Sequence, residues 1–239
     1  MTPERTAASI VLLGHFKPTE FELQRLSKER VISEEDVAAT AYEMLVPEQA
    51  VILVLPWGKF SVVSDRLSVD ITQVPYVRGA DLVLKLLREI SPGALVSKFG
   101  INLVVHYQFP DMEARDRFAC KLVPPEGWGT FGDLVRKSFN EAGRRHGGLT
   151  RVTMRQAQPS DRSAGWLDVT VEPSALIAND RGVALSLNDH YELSIEDRER
   201  VKGSPRAVCE ELLSLLEKNF DTSIERSYDI CSDLTREFS

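Results

Sequence analysis

The side chains that could carry out acid–base or metal chemistry are histidines and aspartates scattered along the whole chain. The four histidines stand far apart, at His15, His106, His146 and His190. No two have the i, i+4 or HxH spacing of neighbouring ligands, and a metal site needs two or more convergent ligands. A histidine site would therefore have to be assembled by the fold.

One such assembly is a metal-dependent hydrolase acting on phosphodiesters. Its carboxylates would be Asp65 and Asp70, which flank a short β segment, and Asp168, which lies within another. Its histidine would be His106, on the mixed face of a strand, or His190, which the sequence places in a loop after a strand. Polar strand faces and loops carry such residues without any catalytic role, so we predict no catalytic residue, no metal ligand and no cofactor.

A glycine-rich segment raises the question of a dinucleotide site. Gly127–Gly132 (GWGTFG) matches GxGxxG and stands before a helical pattern. Such a loop must leave a strand, and a second strand must end in an acidic residue about 20 positions later. Pro124 and Pro125 precede the segment instead, and no such strand follows. We interpret it as a turn before a helix.

The three tryptophans suggest a binding surface. Trp57, Trp128 and Trp166 each adjoin a glycine, in PWG, GWG and GW, at turns or strand starts rather than within helix faces. A tryptophan at a loop tip places a large apolar area where a partner can bury it. We predict all three as partner-binding residues. The alternative is that each closes an edge of the core.

Composition narrows the range of partners. The 239 residues carry a formal net charge of −7, which on average repels phosphates and disfavours nucleic acid. No apolar window reaches the about 18 residues needed to span a bilayer, so we predict no membrane partner. Cys120, Cys209 and Cys231 are odd in number and lack CxxC spacing, which is typical of reduced thiols in a cytoplasmic protein.

The elements that must position these residues are clearest in the first half. In Leu95–Phe109 apolar residues recur at every second position, which predicts a strand with one buried and one mixed face. Two short β-branched runs in 60–72 and a helix over 80–90 precede it. The order strand, strand, helix, strand predicts an α+β fold, with helices on one side of a mostly antiparallel sheet.

Other segments complete the predicted outline. Ser33–Leu45 has a helical pattern that ends before Pro47, and Ala50–Leu55 is apolar throughout, as in a strand buried on both sides. Strands are predicted at 149–157, 165–171 and 183–187. The chain is predicted to end in a helical pair, the first helix beginning at Ser204 and the second running from Ile224 to Phe238.

A cluster of breakers at Pro124–Gly129 suggests a boundary between an N-terminal half, 1–126, and a C-terminal half, 127–239. Each half contains a few strands and an amphipathic helix, so two similar ferredoxin-like halves are one interpretation. Whether the halves form one continuous sheet or two sheets stays open on the sequence alone.

Two strands, a helix and a glycine-bearing strand follow one another in FSVVSDRLSVDI, PYVRGADLVLKLL and VSKFGINLVV. This order of elements resembles that of a family of sporadically distributed, uncharacterised bacterial proteins. Tyr76 fits the tyrosine that begins a helix in the family, and Gly100 with Ile101 fits the start of its glycine-leucine-arginine-tyrosine motif. Asn102 and Leu103 stand where that motif has arginine and tyrosine, so a function of those two residues does not carry over. The resemblance implies a two-part α+β fold and a phage or mobile-element conflict setting.

These observations predict a non-enzymatic interaction protein that binds another protein of unknown identity, with a homodimer left open. The alternatives are the metal-dependent hydrolase and a sensor that holds a small ligand between the two halves.

Overall fold

The computed structural model describes residues 1–139, 148–201 and 204–236, and the side chains of all of these except residues 2 and 137–139. The strands are β1 (Thr2–His15), β2 (Ala41–Val46), β3 (Ala50–Leu55), β4 (Gly58–Val63), β5 (Arg66–Ile71), β6 (Leu95–Gln108), β7 (Val152–Ala157), β8 (Ala164–Pro173) and β9 (Gly182–Glu192). They form one antiparallel sheet in the order β2-β3-β4-β5-β1-β6-β9-β8-β7. The sheet therefore joins the two halves of the chain without a break.

Helices cover one face of this sheet. They are α1 (Leu23–Lys28), α2 (Glu34–Ala39), α3 (Val77–Lys85), α4 (Met112–Leu122), α5 (Gly129–Phe139), α6 (Ile195–Arg200) and α7 (Pro205–Thr235), with 3₁₀ turns at Pro18–Phe21 and Pro125–Trp128 and a π turn at Leu86–Ile90. The α+β class and the helix-covered antiparallel sheet are thus confirmed. In the described part of the chain, no helix combines the length and the apolarity needed to cross a bilayer.

The centre of the sheet is the pair β1 and β6, which run antiparallel along almost their whole length. Alternate side chains of β6, among them Ile101, Leu103 and Val105, are buried on the helix-covered face. This is the period-two pattern of the sequence. Helix α7 covers β6, and α3 packs against the neighbouring strands β1 and β5. Burial of this face is the main stabilising term because it removes the largest apolar area from water.

The C-terminal segment is one helix of 31 residues rather than the pair that the sequence suggested. Helix α7 crosses β6 and β9 and also contacts α3. Its buried positions extend from Val208 through Leu216 to Cys231, so the two apolar patterns are continuous on one helix face. The end of the predicted second helix, at Phe238, lies outside the described residues.

Two predictions for the N-terminal region are wrong. The helix over Ser33–Leu45 ends at Ala39, and the following residues form the edge strand β2, because Met44 and Leu45 pair with β3. Strand β3 is buried on one face only, with Val54 41% exposed. The apolar run was consistent with burial on both faces, yet no second layer from the described residues covers Val54.

Candidate functional site

The face of the sheet opposite α3 and α7 carries a row of polar side chains. The cross-strand register places Ser9 beside Asn102, Asn102 beside Asn188, Asn188 beside Asp168, and Asp168 beside Arg155. The row therefore runs perpendicular to five neighbouring strands. Asn102 Nδ2 donates to Ser9 Oγ over 3.2 Å. Asp168 accepts two hydrogen bonds of 2.7 Å from Arg155.

This row crosses an open cleft of about 590 Å³. The residues that line it are Ser9, Val11, Leu13, Arg66, Lys98, Phe99, Gly100, Asn102, Val104, Arg151, Thr153, Asp168, Thr170, Ser186, Leu187, Asn188 and His190. Most of its polar groups are amides and hydroxyls, and its cations are arginine and lysine. Its one carboxylate, Asp168, is already paired with Arg155, so the charge left for a ligand is positive.

His190, which lines the cleft, belongs to a stack of three side chains beside it. The ring of His190 lies on the indole of Trp166, with centroids 3.8 Å apart and planes at 19°. The guanidinium of Arg155 covers the other side of the indole, 4.5 Å from its centroid. Trp166 Nε1 and His190 Nε2 are both buried, and neither has a hydrogen-bond partner among the residues that the structure describes. Two unpaired polar atoms in one stack are unusual because a buried unsatisfied group destabilises the fold.

Both histidines on the open face favour the neutral form. Burial lowers the pKa of His190, and Lys98 lowers it further, whereas Glu192 acts in the opposite direction. Burial likewise lowers the pKa of His106, with a contribution from the positive charge of Arg5. Each histidine is therefore mainly uncharged at neutral pH, chiefly because it is buried.

The predicted hydrolase residues do not converge. Asp65 lies in the turn between β4 and β5, and Asp70 lies on β5, where burial raises its pKa. Hydrogen bonds from Arg155 lower the pKa of Asp168. His106 hydrogen-bonds Ser174 Oγ over 2.8 Å. Within 1–139, 148–201 and 204–236, no three His, Cys, Asp or Glu side chains are placed to hold one metal ion.

The structure places the remaining histidines and tryptophans in contrasting surroundings. His190 lies inside β9, which extends to Glu192, so the prediction of a loop was wrong. His146 lies outside the described residues. Trp57 is 4% exposed and belongs to the core, whereas Trp128 is 60% exposed. Of the three tryptophans predicted to bind a partner, only Trp128 presents most of its side chain to solvent.

Trp128 borders an apolar groove of about 480 Å³, here called the Trp128 groove. It is lined by Ala119, Cys120, Val123, Pro125, Trp128, Phe131, Gly132, Val135, Gly148, Leu149, Thr150, Arg151 and Val152. The rings of Trp128 and Phe131 lie 6.2 Å apart, and Phe131 is 59% exposed. Large apolar side chains from a helix, a turn and a strand thus meet at the surface.

The glycines of GWGTFG shape this groove. Gly129 has φ of 57°, which a residue with a side chain adopts at a cost, and it ends the 3₁₀ turn. A Cβ on Gly132 would lie 1.9 Å from the carbonyl oxygen of Pro125, so only glycine allows α5 to approach the turn. The segment is a turn before a helix, as its sequence context indicated.

Sequence reasoning missed the polar row and its cleft. Asn102 was assigned to the mixed face of its strand, but Ser9 and Asn188 stand 93 and 86 positions away from it. No local pattern connects them, since the register of β1, β6 and β9 brings them together. The one local signal was Gly100, a glycine inside a strong strand pattern, which often marks a close approach.

Comparisons with known proteins identify no relative by sequence: no family model matches the chain, and no curated protein matches it. Among solved structures, a rolling circle replication initiator protein from Geobacillus stearothermophilus is similar over 79% of this chain and 74% of that chain. The identity is 8% and the TM-score 0.25, a likeness that carries no argument about function.

Proposed function

We propose that this protein is a non-enzymatic interaction module that binds another protein through the Trp128 groove. The observation that supports the proposal is the pair Trp128 and Phe131, 60% and 59% exposed at the border of an apolar groove. Tryptophan is among the residues that contribute most at protein interfaces. Covering the exposed parts of two such aromatic side chains, on the order of 200 Å², contributes about 5 kcal/mol.

The occupant that suits this groove is an amphipathic helical segment of a partner protein. Apolar grooves beside helices bind such segments through large side chains at i, i+3 and i+4. The charge at the border of the groove indicates one more feature of the partner segment. The Arg151 side chain is 68% exposed, and its Nε lies 3.8 Å from Glu172. A carboxylate next to the apolar face of the segment would therefore gain a favourable charge interaction.

The setting that we propose is a reducing cytoplasm, because Cys120, Cys209 and Cys231 are all free thiols. The phage or mobile-element conflict suggested by the family resemblance belongs to the same proposal. In that setting a binding module can act by occupying a partner surface, which requires no catalytic group of its own.

Site-specific crosslinking followed by peptide binding tests the proposal. A photoreactive residue at Thr130, beside the groove, is expected to capture one segment of one protein in cells, and a photoreactive residue at the remote Glu20 is expected not to. The captured segment is then synthesised and titrated into the purified protein. We expect an apolar helix with an acidic residue, whose affinity falls at least tenfold with Trp128→Ala and remains unchanged with Met154→Ala, a 72% exposed control.

Two outcomes would overturn the proposal. A synthetic segment that binds Trp128→Ala as tightly as the native protein would show that the groove is not the site. A dimer of the purified protein that Trp128→Ala dissociates would show that a second copy, rather than a different protein, occupies the groove.

A further inference from the structure

We infer that the cleft on the open face of the sheet binds a small phosphorylated polyol, such as a sugar phosphate. This inference goes beyond the protein-binding role proposed above, and the cleft meets the Trp128 groove at Arg151, which lines both. It combines an anion-binding end, a depression over a glycine and a floor of amides and hydroxyls, and the register of β5, β1, β6 and β9 aligns these three parts.

Arg66 and Lys98 form the anion-binding end. Leu13 of β1 is paired in register with Arg66 on β5 at one side and with Lys98 on β6 at the other. Their backbones are therefore about 10 Å apart, so two long side chains can reach one phosphate between them. Within the described residues, neither cation lies within 4.0 Å of a carboxylate. Glu192 stands opposite Lys98 in register, and its Oε2 lies 3.9 Å from Nε2 of the neutral His190.

Gly100 provides the depression. It follows Lys98 by two positions on the same face of β6 and lies in register with Val11 and His190. No side chain rises from it, and Gly100 is buried because the Asn188 side chain leans over it, with Oδ1 2.9 Å from where a Cβ would stand. The Asn188 amide therefore borders the depression. The rise from Lys98 to Asn102 is about 13 Å, which suits a sugar phosphate contacted by side chains at both of its ends.

The floor beyond Gly100 offers unused hydrogen-bonding groups. Among the described residues, the Asn188 amide and the Ser186 hydroxyl make no hydrogen bond, and Asn102 uses only its Nδ2. His190, which is 8% exposed, lines the cleft, and its buried Nε2 has no hydrogen-bond partner in the described part of the chain. Sugar hydroxyls both donate and accept, so they match amides, hydroxyls and a neutral imidazole.

The same cleft is poorly suited to a nucleobase. A base is bound most readily by stacking on an exposed aromatic ring, and Trp166 has His190 on one side and Arg155 on the other. The core-facing Phe99 is 1% exposed and offers no ring surface to the cleft either. The chemistry available is therefore that of charge and hydrogen bonds, which favours a phosphorylated polyol over a stacked nucleotide.

Isothermal titration calorimetry of the full chain tests the inference with named probes: ribose 5-phosphate, glucose 6-phosphate, the two free sugars and inorganic phosphate. We expect at least one sugar phosphate to bind with a Kd below 1 mM. We expect its free sugar and inorganic phosphate to bind at least tenfold more weakly. Equal binding of inorganic phosphate, equal binding of the free sugar, or no binding of either sugar phosphate at 5 mM would each overturn the inference.

Variants locate the site. Lys98→Ala is expected to weaken sugar phosphate binding at least tenfold, and Gly100→Val, which fills the depression, to abolish it. Lys59→Ala is the matched control, because Lys59 is paired with Glu43 at 2.8 Å and lies outside the cleft. Unchanged binding in folded Lys98→Ala would overturn the assignment even if Gly100→Val failed to fold, and so would an equal loss in Lys59→Ala.

Discussion

Arg162 and Asp189 form an ion pair whose two side chains are each only 1% exposed, with Arg162 Nη1 2.5 Å from Asp189 Oδ1. Asp189 also accepts a hydrogen bond of 2.7 Å from Ser223 Oγ and one of 3.3 Å from Tyr191. The guanidinium of Arg162 lies 3.7 Å from the centre of the Tyr191 ring. This network fixes the turn between β7 and β8 to strand β9 and helix α7.

Replacing Asp189 tests how much this network stabilises the protein. Asp189→Ala should lower the free energy of unfolding by about 3–5 kcal/mol. Arg162 would remain buried with Asp161 as its remaining carboxylate, and the hydroxyls of Ser223 and Tyr191 would lose their acceptor. Urea denaturation measures the change. Glu210→Ala is the control: it breaks the exposed pair with Arg206 on the same helix and should cost less than about 1 kcal/mol. Equal small losses in both variants would contradict the prediction.

Asp161 should make the stability depend on acid pH. Burial alone would raise its pKa, but hydrogen bonds and charges from Arg162 and Arg226 lower it to about 2. Because the folded pKa lies below the unfolded value, the contribution is complete above about pH 4 and is lost as the pH falls toward 2.

The measurement is the urea midpoint at pH 5, 4 and 3, compared between the native protein and Asp161→Asn. The native midpoint should fall more steeply, since only the native side chain can take up a proton. Parallel curves would show that Asp161 does not titrate in this window.

Truncation of Trp57 and truncation of Trp128 should lower the free energy of unfolding by very different amounts. Trp57→Ala should lower the free energy of unfolding by about 3–5 kcal/mol, as for a core aromatic residue, because Trp57 is 4% exposed. Trp128→Ala should lower it by less than about 1 kcal/mol. Chemical denaturation measures both. A loss at Trp128 as large as at Trp57 would mean that the protein itself covers this side chain, and the proposed interface would lose its support.

His190→Phe should separate stability from ligand binding. The stack on Trp166 is kept and a buried unpaired nitrogen is removed, so the free energy of unfolding should stay constant or rise by about 1 kcal/mol. Sugar phosphate binding should weaken, because the variant cannot hydrogen-bond a hydroxyl. Denaturation and calorimetry on the same sample provide both values, and a marked loss of stability would show that the imidazole has a structural partner.

The same variant should change the pH dependence. The pKa of His190 is lowered in the folded protein, so its contribution is present above pH 6.5 and is lost as the pH falls below that value. The native protein should therefore lose more stability than His190→Phe between pH 7 and pH 5. His106 titrates in both proteins, and the comparison removes its contribution.

Alkylation should distinguish the cysteines. Cys231 is fully buried, which raises its pKa to about 12, and Cys209 is 4% exposed. Cys120 lines the Trp128 groove, and burial raises its pKa as well. N-ethylmaleimide should therefore add slowly, and once, to the folded protein, and three times after unfolding. Intact mass spectrometry counts the adducts, and a single adduct at Cys209 or Cys231 would contradict the placement of α7.

Local sequence patterns were sufficient to predict the strands and helices that bury one face. The period-two run in β6 and the helical spacing of α3 predicted their types and their common core, because each pattern repeats within a few residues. The N-cap of α4 is local in the same way, since the Asp111 side chain accepts a hydrogen bond of 2.7 Å from Ala114 N. Edge strand β2 was missed because its apolar residues fit a helical pattern as well as a strand.

Tertiary structure decided what the open face contains. Ser9, Asn102 and Asn188 meet only because three strands pair in one register, and a shift of one residue would turn each side chain to the other face. The tertiary structure also placed Trp57 in the core and Trp128 at the surface, although their local sequences, PWG and GWG, are nearly the same. A local pattern fixes the type of an element, whereas exposure depends on what packs against it from distant parts of the chain.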